Sequence, residues 1–158
     1  MIRIAQYKGK SWVSKIIKAV TRGEYSHTAI MLADDEIIEA WQGCNRVRVI
    51  KNISDGHKAG TPVDIYAIPM TMSEEVIFRR RVRGKVGTKY DYMGLMAFLF
   101  NRARWDRKGK VFCSELFYSA YRHVSPRMFT DTVEPWQVSP SMITRTAIPA
   151  LLRGEVTE

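Results

Sequence analysis

Cysteine is scarce. Only Cys44 and Cys113 occur among 158 residues, which excludes a disulfide framework and any zinc module built on CxxC pairs. A Cys44–Cys113 bridge would need an oxidising compartment. Long apolar runs are missing too. The longest, MGLMAFLF from Met93 to Phe100, stops at Asn101 and Arg102, well short of the roughly 20 residues that span a bilayer. The opening MIRIAQYKGKSW has neither the apolar core nor the small-residue cleavage site of a secretory signal, which predicts cytoplasmic synthesis. No repeat, low-complexity tract or linker breaks the chain. Residues 1–158 therefore read as one domain, with a tail from about residue 147 expected to be flexible. Acidic residues are the last shortage: 16 against 25 Lys and Arg, a formal charge of +9. That excess points to an anionic partner, whether nucleic acid, phospholipid headgroups or acidic cell-wall polymer, without choosing among them.

What is present alternates between strand-like and helical patterns. IRIAQY (Ile2 to Tyr7) reads as a first strand. SWVSKIIKAVTRG then reads as a helix capped by Ser11 and stopped by Gly23, its apolar stripe formed by Trp12, Ile16 and Val20 with Val13 and Ile17 beside them. SHTAIMLADDEIIEAW predicts two strands about an Asp-Asp turn, and RVRVI and VDIYAI predict two more. After Pro69 the pattern turns helical. SEEVIFRRRVRGKVG offers a Ser73 cap, early Glu74 and Glu75, late Arg and Lys, and a stop at Gly87. A shorter helix from Asp91 to Phe100 is expected to bury Met93, Leu95, Met96, Phe98 and Leu99. Another is expected to begin at Cys113, with Leu116, Phe117, Ala120, Tyr121 and Val124 inward. Together these elements predict an α+β fold.

Cys113 is the residue that invites chemistry. At a helix N-terminus a thiol meets unpaired backbone N–H groups and the positive end of the dipole, which lower its pKa and can hold a developing oxyanion. The bland reading is a buried small hydrophobe. Of the three histidines, His57 falls in the loop SDGHKAG and His123 lies ten positions along the Cys113 helix. Only His27, in EYSHTAIML, opens an apolar strand. Glu39 follows 12 residues later. An even separation lets two residues share a face of an antiparallel hairpin when the loop has an odd number of residues, and a two-residue turn without a bulge would set them on opposite faces. Correctly registered, Glu39 would orient His27 and His27 would serve the thiol. A zinc site from Cys113, His27 and Glu39 has no close-spaced ligand pair to support it, and no metal or cofactor is expected.

YSHTAIML, IIEA, GTKYDYMG and FCSELF, in that order, resemble the circularly permuted NlpC-like (YiiX/YaeF-like) branch of the papain-fold cysteine hydrolases, in which the histidine strand precedes the cysteine helix. The resemblance runs from about Ile4 to Val124. It implies a papain-like fold, a small antiparallel sheet packed on helices. Cys113 would be nucleophile, His27 base and Glu39 the third member, with Tyr90 or Tyr92 lining the oxyanion site. It also implies amide or ester substrates of peptide, peptidoglycan-stem or lipid acyl type, cleaved or transferred, and a bacterial or phage source. The rival reading is a non-catalytic binding protein. Its anionic partner, nucleic acid or membrane surface, would meet Arg79, Arg80, Arg81, Arg83 and Lys85, a cluster that otherwise reads as a solvated helix face.

Overall fold

A computed structural model of the chain describes residues 1–99, 109–125, 128–129, 132–146 and 148–158. Its centre is an eight-stranded sheet in the order β7-β6-β4-β3-β2-β1-β5-β8. The strands are β1 (Ile2–Tyr7), β2 (His27–Ala33), β3 (Glu36–Trp41), β4 (Arg46–Ile50), β5 (Pro62–Ile68), β6 (Lys89–Tyr90), β7 (Lys110–Val111) and β8 (Ala150–Val156). Every described pairing is antiparallel except β6 with β7. Among the described residues, five α-helices accompany it: α1 (Trp12–Thr21), α2 (Met72–Arg83), α3 (Tyr92–Leu99), α4 (Cys113–Tyr121) and α5 (Pro140–Arg145). The α+β class follows directly, with a sheet larger than the small one expected.

Alternation along the strands feeds two apolar clusters. Ile4, Ile30, Ile38 and Val47 join Phe78, Leu116, Phe117 and Tyr121 beneath α2 and α4. Ala5, Tyr7, Ala29, Met31, Ile37 and Ile65 form the second. Strand β2 contributes to both, which explains why its five inner residues are all buried. Its near-continuous apolar run is what a doubly covered strand requires.

The hairpin that carries His27 and Glu39 departs from the simplest geometry. Only Asp34 and Asp35 lie between β2 and β3. Ala33 pairs with Glu36 while Met31 pairs with Ile37, so Leu32 is an extra residue, a β-bulge. The bulge restores the parity that a two-residue turn would have broken. Continuing the register past Ile30↔Ile38 brings Ala29, not His27, level with Glu39. The two site residues are thus diagonal neighbours on one face rather than direct partners.

Several local expectations are corrected. Thr71, not Ser73, caps α2, in a reciprocal capping box with Glu74, and the helix ends at Gly84 rather than Gly87. The α1 stop is Arg22 in the left-handed region (φ 49°), one residue before Gly23. Residues Ala150–Val156 form β8, hydrogen-bonded to the free edge of β5, where a flexible tail was expected. Helix α1 turns Val13 and Ile17 toward the core but leaves Trp12, Ile16 and Val20 exposed. In α3, Leu95 is buried whereas Met93 and Met96 are exposed. Phe100 and the side chains of Phe98 and Leu99 fall outside what is described.

Candidate functional site

Helix α4 begins where β7 ends, and eight of its nine residues are buried, Cys113 among them. Its N-cap, Phe112, offers no side-chain acceptor, in contrast to Ser11 on α1 and Ser139 on α5. The backbone of Ser114 and Thr28 favours the charged form of the thiol instead. Ser114 Oγ in turn donates to Val138 O at 2.6 Å, pinning the first turn.

His27 is the first residue of β2, where the ladder ends. There a residue on the second-cluster face can still meet a helix packed on the other. Its ring hydrogen-bonds Cys113. Nε2 lies 2.7 Å from Glu39 Oε2, which leaves Nδ1 as the nitrogen for sulfur. The sequence-predicted trio is therefore brought together. Burial alone would raise the Cys113 pKa, but the His27 charge, its hydrogen bond and the two backbone donors outweigh it, and the thiol is held below its ordinary value. Burial alone would lower His27, but Cys113 and Glu39 dominate and push it up to about 10. Both shifts favour a thiolate–imidazolium pair.

Glu39 is fully buried and is held by more than His27. Arg48, directly opposite on β4, donates to Glu39 Oε1 from Nε at 2.8 Å and Nη2 at 2.6 Å. His57 Nε2 stands 3.0 Å from Oε2. Burial would raise this carboxyl, yet the two imidazoles hold it far below the usual carboxylate range. His57 also stacks on Tyr7, with centroids 4.0 Å apart and planes 14° apart. Its loop position concealed this role, and no spacing rule would have found it. Arg48 was more legible, because alternation in RVRVI sets it on one face of β4.

The two tyrosines separate. Tyr90 is buried and interacts with Cys113; burial first, then that interaction, raises its pKa well above 10. Tyr92 is exposed and donates its hydroxyl to Gln42 O. Both cysteines are free thiols, Cys44 exposed and Cys113 buried. In the basic cluster, Arg79 serves the bulge, donating to Leu32 O, and Arg83 makes a two-pronged pair with Glu36 at 2.7 and 2.6 Å. Arg80, Arg81 and Lys85 line a separate surface groove with His123.

A cavity of about 390 Å³ opens beside the trio. His27, His57, Tyr7, Trp41 and Tyr90 line it, with Lys10 and Lys58 among the polar residues. Cys113 itself is 5% exposed and is not among the lining residues, although two groups that interact with it are. One ring nitrogen of His27, one of His57 and a Glu39 oxygen also lie within 4.8 Å of one another. Two imidazoles and a carboxylate are an ordinary ligand set for a divalent transition ion, and Arg48 and Tyr7 would be its outer supports. No helix among the described residues is long and apolar enough to cross a membrane.

No protein-family model matches the chain, and no curated protein matches it. Among solved structures it is similar to one described as the metalloprotein YiiX from Escherichia coli O157:H7, DUF1105. The TM-score is 0.65 at 15% identity, covering 97% of this chain and 96% of that one. At that identity the likeness speaks to fold.

Proposed function

We propose that this chain is a circularly permuted papain-like thiol hydrolase or acyltransferase acting on an amide or ester, with Cys113 as nucleophile, His27 as acid–base and Glu39 as orienter. The observation that carries the reading is the relay itself: thiol at the start of α4, His27 bonded to it, and Glu39 on the far ring nitrogen.

In this mechanism the Cys113 thiolate attacks the substrate carbonyl carbon and the C=O pair moves to oxygen, which accepts backbone N–H groups of the first α4 turn. As the oxyanion collapses, the bond to the leaving nitrogen or oxygen breaks and His27 gives that atom its proton. Water or another acceptor then attacks the thioester, loses its proton to His27 and expels the thiolate. Tyr90 would face the reacting carbonyl. The apolar walls of the cavity suit an acyl chain or peptide, and Lys10 and Lys58 suit an anionic substituent.

The test is labelling with a panel of electrophilic peptide and lipid acyl probes. Wild type is expected to react at Cys113, Cys113→Ala not at all, and His27→Ala at least 100-fold more slowly. A thiol that reacts like an ordinary cysteine whether or not His27 is present would end the reading.

A second reading has its own observation. The His27, Glu39 and His57 donors fit a divalent ion, and the structural neighbour is described as a metalloprotein. Such an ion would act as a Lewis acid toward a substrate or water in the cavity. Cobalt(II) titration separates the two readings. Visible ligand-field bands lost in His57→Ala would favour the metal centre. Labelling of Cys113 that is indifferent to chelator, with no such bands, would favour the thiol.

A further inference from the structure

The site does not account for α1. Going round this helix, Trp12, Ile16, Val20, Val13 and Ile17 occupy one continuous arc. The core takes only the edge formed by Val13 and Ile17. The remainder stands in solvent, with Trp12 71%, Val20 50% and Ile16 41% exposed. Single exposed apolar residues are unremarkable, but a row of three over two turns with tryptophan at its head is not. Adjacent α3 adds Met93 and Met96, at 54% and 43% exposure.

The flank of the row away from the core is cationic. Lys15 is exposed and Lys18 half-buried on that side of α1, which contains no acidic residue, and Arg22 follows its end. No ion pair engages Lys15 or Lys18 among the described residues. The helix also borders the cleft: Ser11, Val13, Ser14 and Ile17 line the cavity that His27 opens into. A short helix with an apolar face, a lysine-bearing polar edge and an aromatic at one end is the pattern that settles into the headgroup boundary of a bilayer. Lysines beside such a face favour anionic lipid.

We propose that the Trp12–Ile16–Val20 face of α1 docks the protein on an anionic lipid bilayer, with the mouth of the His27 cavity held beside the membrane surface. The charge complementarity of Lys15 and Lys18 favours lipid over a second copy of this chain, whose own α1 would bring the same positive charge. Docking stands apart from thiol chemistry, so Cys113→Ala is the background for every measurement.

Sedimentation with phosphatidylcholine vesicles, with and without phosphatidylglycerol, is the test. Binding is expected only with the anionic lipid and should weaken with added salt. Trp12→Ser/Ile16→Ser/Val20→Ser should weaken it at least tenfold, and Lys15→Glu/Lys18→Glu should remove the preference for anionic lipid. Met72→Ser, an exposed apolar residue on α2, should bind as the background does. Trp12→Phe guards against a folding artefact: brominated lipid should quench tryptophan emission in the background protein and do so markedly less in Trp12→Phe. Absence of vesicle binding, quenching indifferent to Trp12, or a dimer that the triple substitution dissociates would each overturn the proposal.

Discussion

Glu39 and Arg48 stand directly opposite each other on β3 and β4, and the guanidinium binds Glu39 Oε1 through two nitrogens. The carboxylate is thereby divided: Oε1 belongs to Arg48 and Oε2 to the two imidazoles. A buried carboxylate is tolerable only with such partners.

Arg48→Met is accordingly expected to cost about 3 kcal/mol, the range seen when one partner of a buried pair is removed. Adding Glu39→Gln, which removes the stranded charge, should recover at least half. Urea denaturation of the three proteins checks this. Equal stability of Arg48→Met and wild type would mean that the imidazoles alone satisfy Glu39.

The pH dependence of Cys113 alkylation follows from the shifts at the relay. The thiol is depressed and His27 is raised to about 10, so thiolate is expected below the ordinary midpoint near 8.5. Its rate profile in chelator-containing buffer should rise at lower pH than that of free N-acetylcysteine under the same conditions. In His27→Ala, burial is left opposed only by backbone donors, and the midpoint should move up. A profile unmoved by that substitution would detach His27 from sulfur.

Arg79 supplies a donor to the bulge carbonyl of Leu32. Arg79→Ala should destabilise the fold by about 2 kcal/mol, as expected for a bond from a charged group. Because the bulge sets the His27–Glu39 offset, Cys113 labelling should also slow. Loss of stability with labelling unchanged would show that the bulge holds without Arg79.

Removing residues 150–158 would uncover the edge of β5 along its ladder with β8. The truncated protein is expected to keep Cys113 labelling within threefold but to self-associate, since an open edge is a template for pairing. Sedimentation velocity decides it. A monodisperse monomer would mean that the edge is protected by other means.

How much of this was legible varied with how local the cause was. The strands Ile2–Tyr7 and Arg46–Ile50 and the Ser11 cap depend on neighbours in the chain. All three could be read directly. Cys113 and His27 were legible because their surroundings are distinctive: a strand-to-helix junction and the head of an apolar strand. His57 was not, because what brings it to Glu39 is tertiary, a loop laid over Tyr7. Amphipathicity of α1 was plain, but which part of its arc the core would claim depends on packing that no periodicity reports. β8 was missed for a similar reason. Its side chains are mostly exposed, so it has no apolar alternation to betray it, and backbone pairing with β5 defines it.

Leu32 gives the hairpin a property akin to a reading frame. Losing or gaining one residue between His27 and Glu39 would rotate one of them to the wrong side of the ribbon, however conservative the neighbouring substitutions. Twelve steps is thus a length under constraint in its own right. Drift in side-chain identity along this segment should be tolerated far more readily than drift in its count.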